Sequence, residues 1–283
     1  MKTTFTSDDA PPVARWTAAA QARRSRRAYE PQPIAGVAAE HLETFCRDYA
    51  PFDGARTVVL AQAPPKIFTG LVLGFYGKVS SPSALIFVGD RRLPDAAARA
   101  GYTAEAAVLE ATALGLGTCW IGGGVRRGQV TSLLSLGAHE HVYSISALGY
   151  PLEQATLGER ATAGMVRART RKPLDTIAPG CAAWPDWARS GAELARIAPS
   201  ATNRQPWRFA REDDGSVRLF FEGSDTPVIS KRLDCGIAML HFELGAREAG
   251  ATGSWELLSG RDVALWVPDD ADGICREGET APR

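Results

Sequence analysis

The sequence repeats itself once. Gly101, Leu109, Ala111, Gly115 and Trp120 recur as Gly236, Leu244, Ala246, Gly250 and Trp255, and every pair is 135 positions apart. Each copy has the same order: a strand (Ala84 to Val88, or Val217 to Phe221), an Ala/Leu-rich helix, a glycine and a tryptophan. Two copies with so long a period do not make a solenoid. They predict two related halves of unequal length, 1–175 and 176–283, packed as one globular unit about a pseudo-two-fold axis, as in a fused dimer.

The local pattern fills in this frame. Helices are expected over Val13 to Arg24, His41 to Tyr49, Gly101 to Leu116, Trp184 to Ile197 and Gly236 to Ala249. Strands are expected over Arg56 to Ala61, Ser83 to Val88, Cys119 to Ile121, Val142 to Leu148, Trp207 to Ala210, Val217 to Phe221 and Val263 to Val267. Lys172 to Gly180, with Pro173 and Pro179, reads as the connector between halves.

Composition narrows the function. With 32 basic and 32 acidic side chains among 283 residues, the chain has no bulk charge for holding nucleic acid or an anionic membrane. Its apolar runs are short, and its first nine residues lack a signal peptide's apolar stretch. Five cysteines scattered without CxxC spacing fit a reducing compartment, so a soluble cytoplasmic protein without a metal site is expected.

Three stretches can carry chemistry. Arg23-Arg24-Ser25-Arg26-Arg27 lies at a helix end. It is either a solvated pairing with the helix dipole or a set of guanidinium forks for a phosphate or flavin. Pro199-Ser200-Ala201-Thr202-Asn203-Arg204-Gln205-Pro206-Trp207 is either a self-satisfied turn or a polar edge for a planar heterocycle, with Arg204 in an unconstrained slot. Gly122-Gly123-Gly124 permits either a tight turn or close backbone approach to a flat ligand; with Gly115 closing a helix, it is no dinucleotide fingerprint. Trp120 and Trp255, at repeat-equivalent places, read as packing residues.

In combination these blocks resemble the FMN-dependent nitroreductase family. Arg23 to Tyr29 is similar to its N-terminal arginine loop, Gly115 to Gly123 to its glycine segment, and Leu148-Gly149-Tyr150-Pro151 and Arg171-Lys172-Pro173-Leu174 to its closing motifs. Pro199 to Phe209 is similar to its Pro-Ser-x-x-Asn-x-Gln-Pro-Trp block, which stands early in an ordinary member. Here the early place reads Ala50-Pro51-Phe52-Asp53-Gly54, and the intact block comes only in the second half. This order resembles the family's single-chain, pseudo-dimeric branch.

The resemblance implies an α+β fold with an antiparallel or mixed sheet and long central helices. It also implies FMN as cofactor, NAD(P)H as reductant and a small flat acceptor as substrate. Arg23, Arg24, Ser25 and Arg27 would hold the FMN phosphate, ribityl chain and pyrimidine edge, with Arg169 and Arg171 at the phosphate and Lys78 beside the ring. Gly122 and Gly123 would face the flavin N5 region, and Pro199, Ser200, Ala201 and Asn203 would come over the ring from the other half. One composite site, hence one FMN per chain, is expected, with the single chain as active unit. Asp53 would place an anion in the symmetry mate. No catalytic side chain is assigned. The alternatives are a binder of flavin or another ligand without turnover, or a variant performing dehydrogenation, dehalogenation or flavin cleavage.

Overall fold

The computed structural model describes residues 11–68, 79, 81–122, 127–153, 170–226 and 228–269. Among these, the helices are α1 (Val13–Ala22), α2 (Gly36–Asp48), α3 (Ala96–Ala113), α4 (Arg127–Thr131), α5 (Leu174–Ile177), α6 (Asp186–Arg196) and α7 (Lys231–Glu248). The strands are β1 (Ala55–Leu60), β2 (Ser83–Asp90), β3 (Gly117–Ile121), β4 (Glu140–Gly149), β5 (Trp207–Arg211), β6 (Val217–Phe221), β7 (Gly253–Leu257) and β8 (Asp262–Pro268). They form two four-stranded antiparallel sheets with matching orders, β1-β2-β4-β3 and β5-β6-β8-β7. Each carries a register irregularity in the corresponding pair, at Phe87/Val88 and at Leu219/Phe220. The architecture is the expected α+β one.

Helices α3 and α7 are the repeat made physical. Both are 18 residues long and begin 135 positions apart. Most of each is buried on all sides, as a central helix shared by two layers must be. They cross at the repeat's first glycine pair. A Cβ on Gly101 would meet the Leu233 carbonyl oxygen at 2.2 Å, and one on Gly236 would meet the Ala98 carbonyl oxygen at 2.1 Å. A residue touching the helix that carries its own equivalent is the signature of a self-complementary contact about a two-fold axis. Glycine here is a requirement of backbone approach.

Two polar contacts are buried at this crossing. Tyr102 donates its hydroxyl to Glu243 at 2.8 Å, and His241 Nε2 lies 3.0 Å from Glu105 Oε1, with both His241 and Glu105 fully buried. The large apolar core around α7 draws on Trp16 of α1, Tyr102 of α3, Ala188 of α6 and Trp207 and Trp266 of the second sheet. The first sheet packs β2 against α2 and α3 through Leu85, Phe87, Leu42 and Val108.

The structure differs from the pattern reading at several elements: α2 and α3 begin five residues earlier, at Gly36 and Ala96, and α4 has no counterpart in it. Helix α7 starts at Lys231 rather than at Gly236, because the Ser230 hydroxyl accepts the Arg232 N–H and caps a turn that the glycine had hidden. Strand β7 was absent from the reading, since Gly253-Ser254-Trp255 is too short to alternate. Lys172 to Gly180, expected as the connector, contains the short helix α5.

Candidate functional site

A cleft is lined by residues from both parts of the sequence. From the first half come Arg23, Ser25 and Arg27, the end of β3 with Cys119, Trp120 and Gly122, and Ser144. From the second come Pro199 to Asn203, Ile229, and Leu233, Asp234 and Ile237 on α7, with Arg171 at the junction.

The first-half loop leaves α1 beside β3. Ser25 bridges Thr118 in parallel, and Arg26 donates its N–H to the Thr118 carbonyl at 2.8 Å. This fixes alternate residues toward the cleft. Arg23 and Arg27 are each 8% exposed. Arg23 Nε and Nη1 are buried and make no hydrogen bond. Its pKa is lowered by burial first and by Arg24, against the attraction of Glu105 and Cys119. Arg171 is held down to about 10, again by burial first and then by the neighbouring Arg23, Arg196 and Arg24. This end of the cleft is a cluster of partly desolvated cations, an arrangement that favours an anionic guest. Arg24 itself stands outside the lining. Its Nη1 donates to the carbonyls of Gln21, Ala22 and Arg23 and closes the end of α1.

The second-half block is a tight, over-determined turn. Thr202, Asn203 and Gln205 have φ of 50°, 57° and 45°, left-handed values that non-glycine residues seldom adopt. Hydrogen bonds hold them there. Ser200 Oγ accepts the Gln205 N–H at 2.9 Å, Asn203 Oδ1 accepts from Gln205 Nε2 and from Arg171 Nη1 at 3.1 Å each, and Asn203 Nδ2 donates to the Thr170 carbonyl at 2.8 Å. Gln205 Oε1 accepts the Lys172 N–H at 2.9 Å. The closing basic segment and the Asn block therefore form one hydrogen-bonded unit at the mouth.

Arg204 is not in an unconstrained slot. Its Nε donates to Asp234 Oδ2 at 2.6 Å, Nη1 to Thr226 Oγ1 at 2.8 Å and Nη2 to the Ile229 carbonyl at 2.8 Å. Asp234 Oδ1 accepts the Ala201 N–H at 3.0 Å. Burial pushes the Asp234 carboxyl up to about 6, with Arg204 and the Ala201 N–H opposing.

Of the expected site residues, the cleft brings together Arg23, Ser25, Arg27, Gly122, Arg171, Pro199, Ser200, Ala201 and Asn203. Lys78, Gly123 and Arg169 lie outside the described residues. The sequence reading missed Ile229, Leu233, Asp234 and Ile237. A helix begun at Lys231 would have placed Leu233 and Ile237 one turn apart on one face. Trp120, read as a packing residue, packs against Phe87 and also lines the cleft, donating Nε1 to Glu105 Oε2 at 2.7 Å.

The pseudo-symmetric position looks different. Tyr102 and Arg99 stand where α7 has Ile237 and Asp234. Phe52, buried, meets Tyr102 edge-on with ring centroids 5.1 Å apart, and Arg99 donates to the Asp53 carbonyl at 3.2 Å. Asp53 itself is exposed.

Two antiparallel sheets around crossed central helices, with a cation-lined cleft between the halves, define a nitroreductase fold. The profile of the family described as "Putative TM nitroreductase" matches residues 16–246, and the chain belongs to that family. Among solved structures, a putative nitroreductase from Thermotoga maritima is similar at 21% identity and a TM-score of 0.56, covering 94% of this chain and 97% of that one. A nitroreductase with bound FMN from Bacteroides fragilis is similar at 20% identity and a TM-score of 0.40, over 50% of this chain and 91% of that one. An NADPH:FMN oxidoreductase from Vibrio harveyi complexed with NAD+ matches at 21% identity and a TM-score of 0.39, over 50% and 70%. No curated protein matches.

Proposed function

We propose that the chain is an FMN-dependent oxidoreductase, reduced by NADH or NADPH, that passes electrons to a nitroaromatic, quinone or similar flat acceptor. The observation that carries this reading is the Arg23 guanidinium, whose Nε and Nη1 are buried without a hydrogen-bond partner at the edge of a cleft lined by two further arginines. A buried donor set of this kind is unfavourable until an anion such as a phosphate meets it.

The residues fit FMN. Arg23, Arg27 and Arg171, with Arg169, supply positive charge for the phosphate and for the pyrimidine edge; Ser25 adds a hydroxyl. Gly122 and Gly123 offer backbone without a side chain, Lys78 a further cation, and Pro199, Ser200, Ala201 and Asn203 the second half's contribution. When bound, FMN supplies the redox chemistry, taking up hydride and releasing electrons. The chain orients the ring and holds fixed cations where the reduced form becomes negative.

Each chain carries one such site, in halves 1–175 and 176–283 derived by duplication of a single ancestor. The buried Tyr102, 135 positions before cleft-lining Ile237, and its contact with buried Phe52 support this. The partner is a small molecule, the setting cytoplasmic, and the single chain the active unit.

Incubation with FMN followed by rapid mixing with NADH or NADPH tests the proposal. Uptake of flavin absorbance and its bleaching by either nicotinamide is the expected outcome. Uptake without bleaching by either would leave a flavin-binding protein without this turnover. A protein that gains no flavin absorbance would overturn the reading.

A further inference from the structure

Ile229 is where the second half's loop meets the first half's glycine. A Cβ on Gly122 would lie 3.0, 3.1 and 3.2 Å from the Cδ1, Cγ1 and Cγ2 carbons of Ile229, so this side chain packs directly on the Gly122 backbone. Both residues line the cleft. The Ile229 carbonyl accepts from Arg204 Nη2 at 2.8 Å and from the Thr226 hydroxyl, and Arg204 is anchored on buried Asp234. Two donors therefore fix the backbone, and a β-branched side chain has little rotamer freedom left. Leu233 and Ile237 continue the same aliphatic wall along α7. Ser200 and Asn203 line the same cleft, so its lining is in part aliphatic and in part polar.

We infer that Ile229 is a specificity-determining residue, whose side chain beside Gly122 sets how wide a flat aromatic acceptor the cleft admits. The inference rests on the flavin reading, because it makes Gly122 the neighbour of the reactive edge. A wall fixed through its backbone discriminates by size, and a difference of a few methylene-sized volumes in an apolar pocket shifts selection by about tenfold or more.

The test needs no turnover. Oxidised, FMN-loaded protein is titrated without nicotinamide with benzoate, 2-naphthoate and anthracene-2-carboxylate, and each Kd is read from the shift in flavin absorbance. All three probes carry one carboxylate, so the ratio of the anthracene to the benzoate Kd isolates width. In Ile229→Ala this ratio is expected to fall about tenfold and in Ile229→Trp to rise about tenfold, with Ile229→Val changing it in the direction of Ala. The Val variant removes a single methylene and keeps the measurement interpretable if the larger changes disturb folding. Ratios within threefold of wild type in all variants that fold overturn the inference while leaving the flavin reading intact. Wild-type protein that takes up no FMN overturns the flavin reading, and the inference with it.

Discussion

Replacing Arg23 by methionine separates the stability cost of the cationic cleft from its purpose. Arg23 is 8% exposed, with Nε and Nη1 buried and unbonded, and burial is the first cause lowering its pKa. A buried polar group without a partner costs about 1–3 kcal/mol. Methionine keeps an unbranched stem as far as the Nε position and removes the charged end of the guanidinium. Glu105 is not orphaned by the change, since it retains Trp120 Nε1 and His241 Nε2. Flavin-free Arg23→Met should therefore be more stable by about 1–3 kcal/mol, a rise in Tm of about 2–10 °C for a chain of this size. The same substitution removes a charge-assisted contact of about 1.5–3 kcal/mol to an anionic ligand, weakening FMN binding by about tenfold to a hundredfold. Two effects of opposite sign come from one side chain. Thermal melts of the flavin-stripped protein and fluorescence titration with FMN measure them. A variant that melts lower without flavin and binds FMN as wild type does would refute the reasoning and make Arg23 a structural residue.

Two further substitutions probe the frame of the site. Gly236→Ala brings a Cβ within 2.1 Å of the Ala98 carbonyl oxygen, so overpacking of about 1–3 kcal/mol or more outweighs a helix-propensity gain of about 1 kcal/mol. Melting temperature and FMN uptake should both fall, because the cleft is assembled across this crossing, whereas Gly128→Ala, with nothing within 4 Å, should melt no lower than wild type. Arg204→Gln leaves buried Asp234 without its ion partner, at a cost of about 3–5 kcal/mol. The pH dependence follows from the raised Asp234 pKa. Asp234 binds its proton more tightly in the fold than in the unfolded chain, so its ionised form disfavours the fold above about 6 and is relieved as pH falls toward 4. Losing Arg204 removes an attraction that lowers this pKa, so the variant's deficit against wild type should be larger at pH 8 than at pH 5 in denaturant titrations.

How far the sequence could be read depended on whether a feature was periodic or positional. The glycine–leucine–alanine–tryptophan repeat located α3 and α7 because a helix buried on all sides must keep small residues at its crossing, and Gly101 and Gly236 are those residues. Most strands were legible from their β-branched and aromatic runs, while five-residue β7 was too short to alternate. In the cleft, the arginine loop and the Asn203 block stood out as motifs. Asp234, Ile229 and Leu233 did not, since nothing local marks an aspartate as buried or an isoleucine as wall. Their roles arise from Arg204 joining α7 to a loop across 25 to 30 positions of sequence. Asp53 illustrates the converse error: its charge drew attention, but the turn at Gly54 leaves it exposed and buries its neighbour Phe52 instead.

The proposed flavin site is single and composite, made from both parts of one chain. Its most direct test is the ratio of released flavin to protein after FMN loading, removal of free flavin and denaturation, with the native protein's mass in solution determined in parallel. A ratio near one per chain is predicted, because the arginine loop and the Asn203 block each occur once in the sequence. A ratio near two would show that the pseudo-symmetric position is open, and a ratio near zero that the arginine-lined cleft serves another ligand; either would contradict the claim.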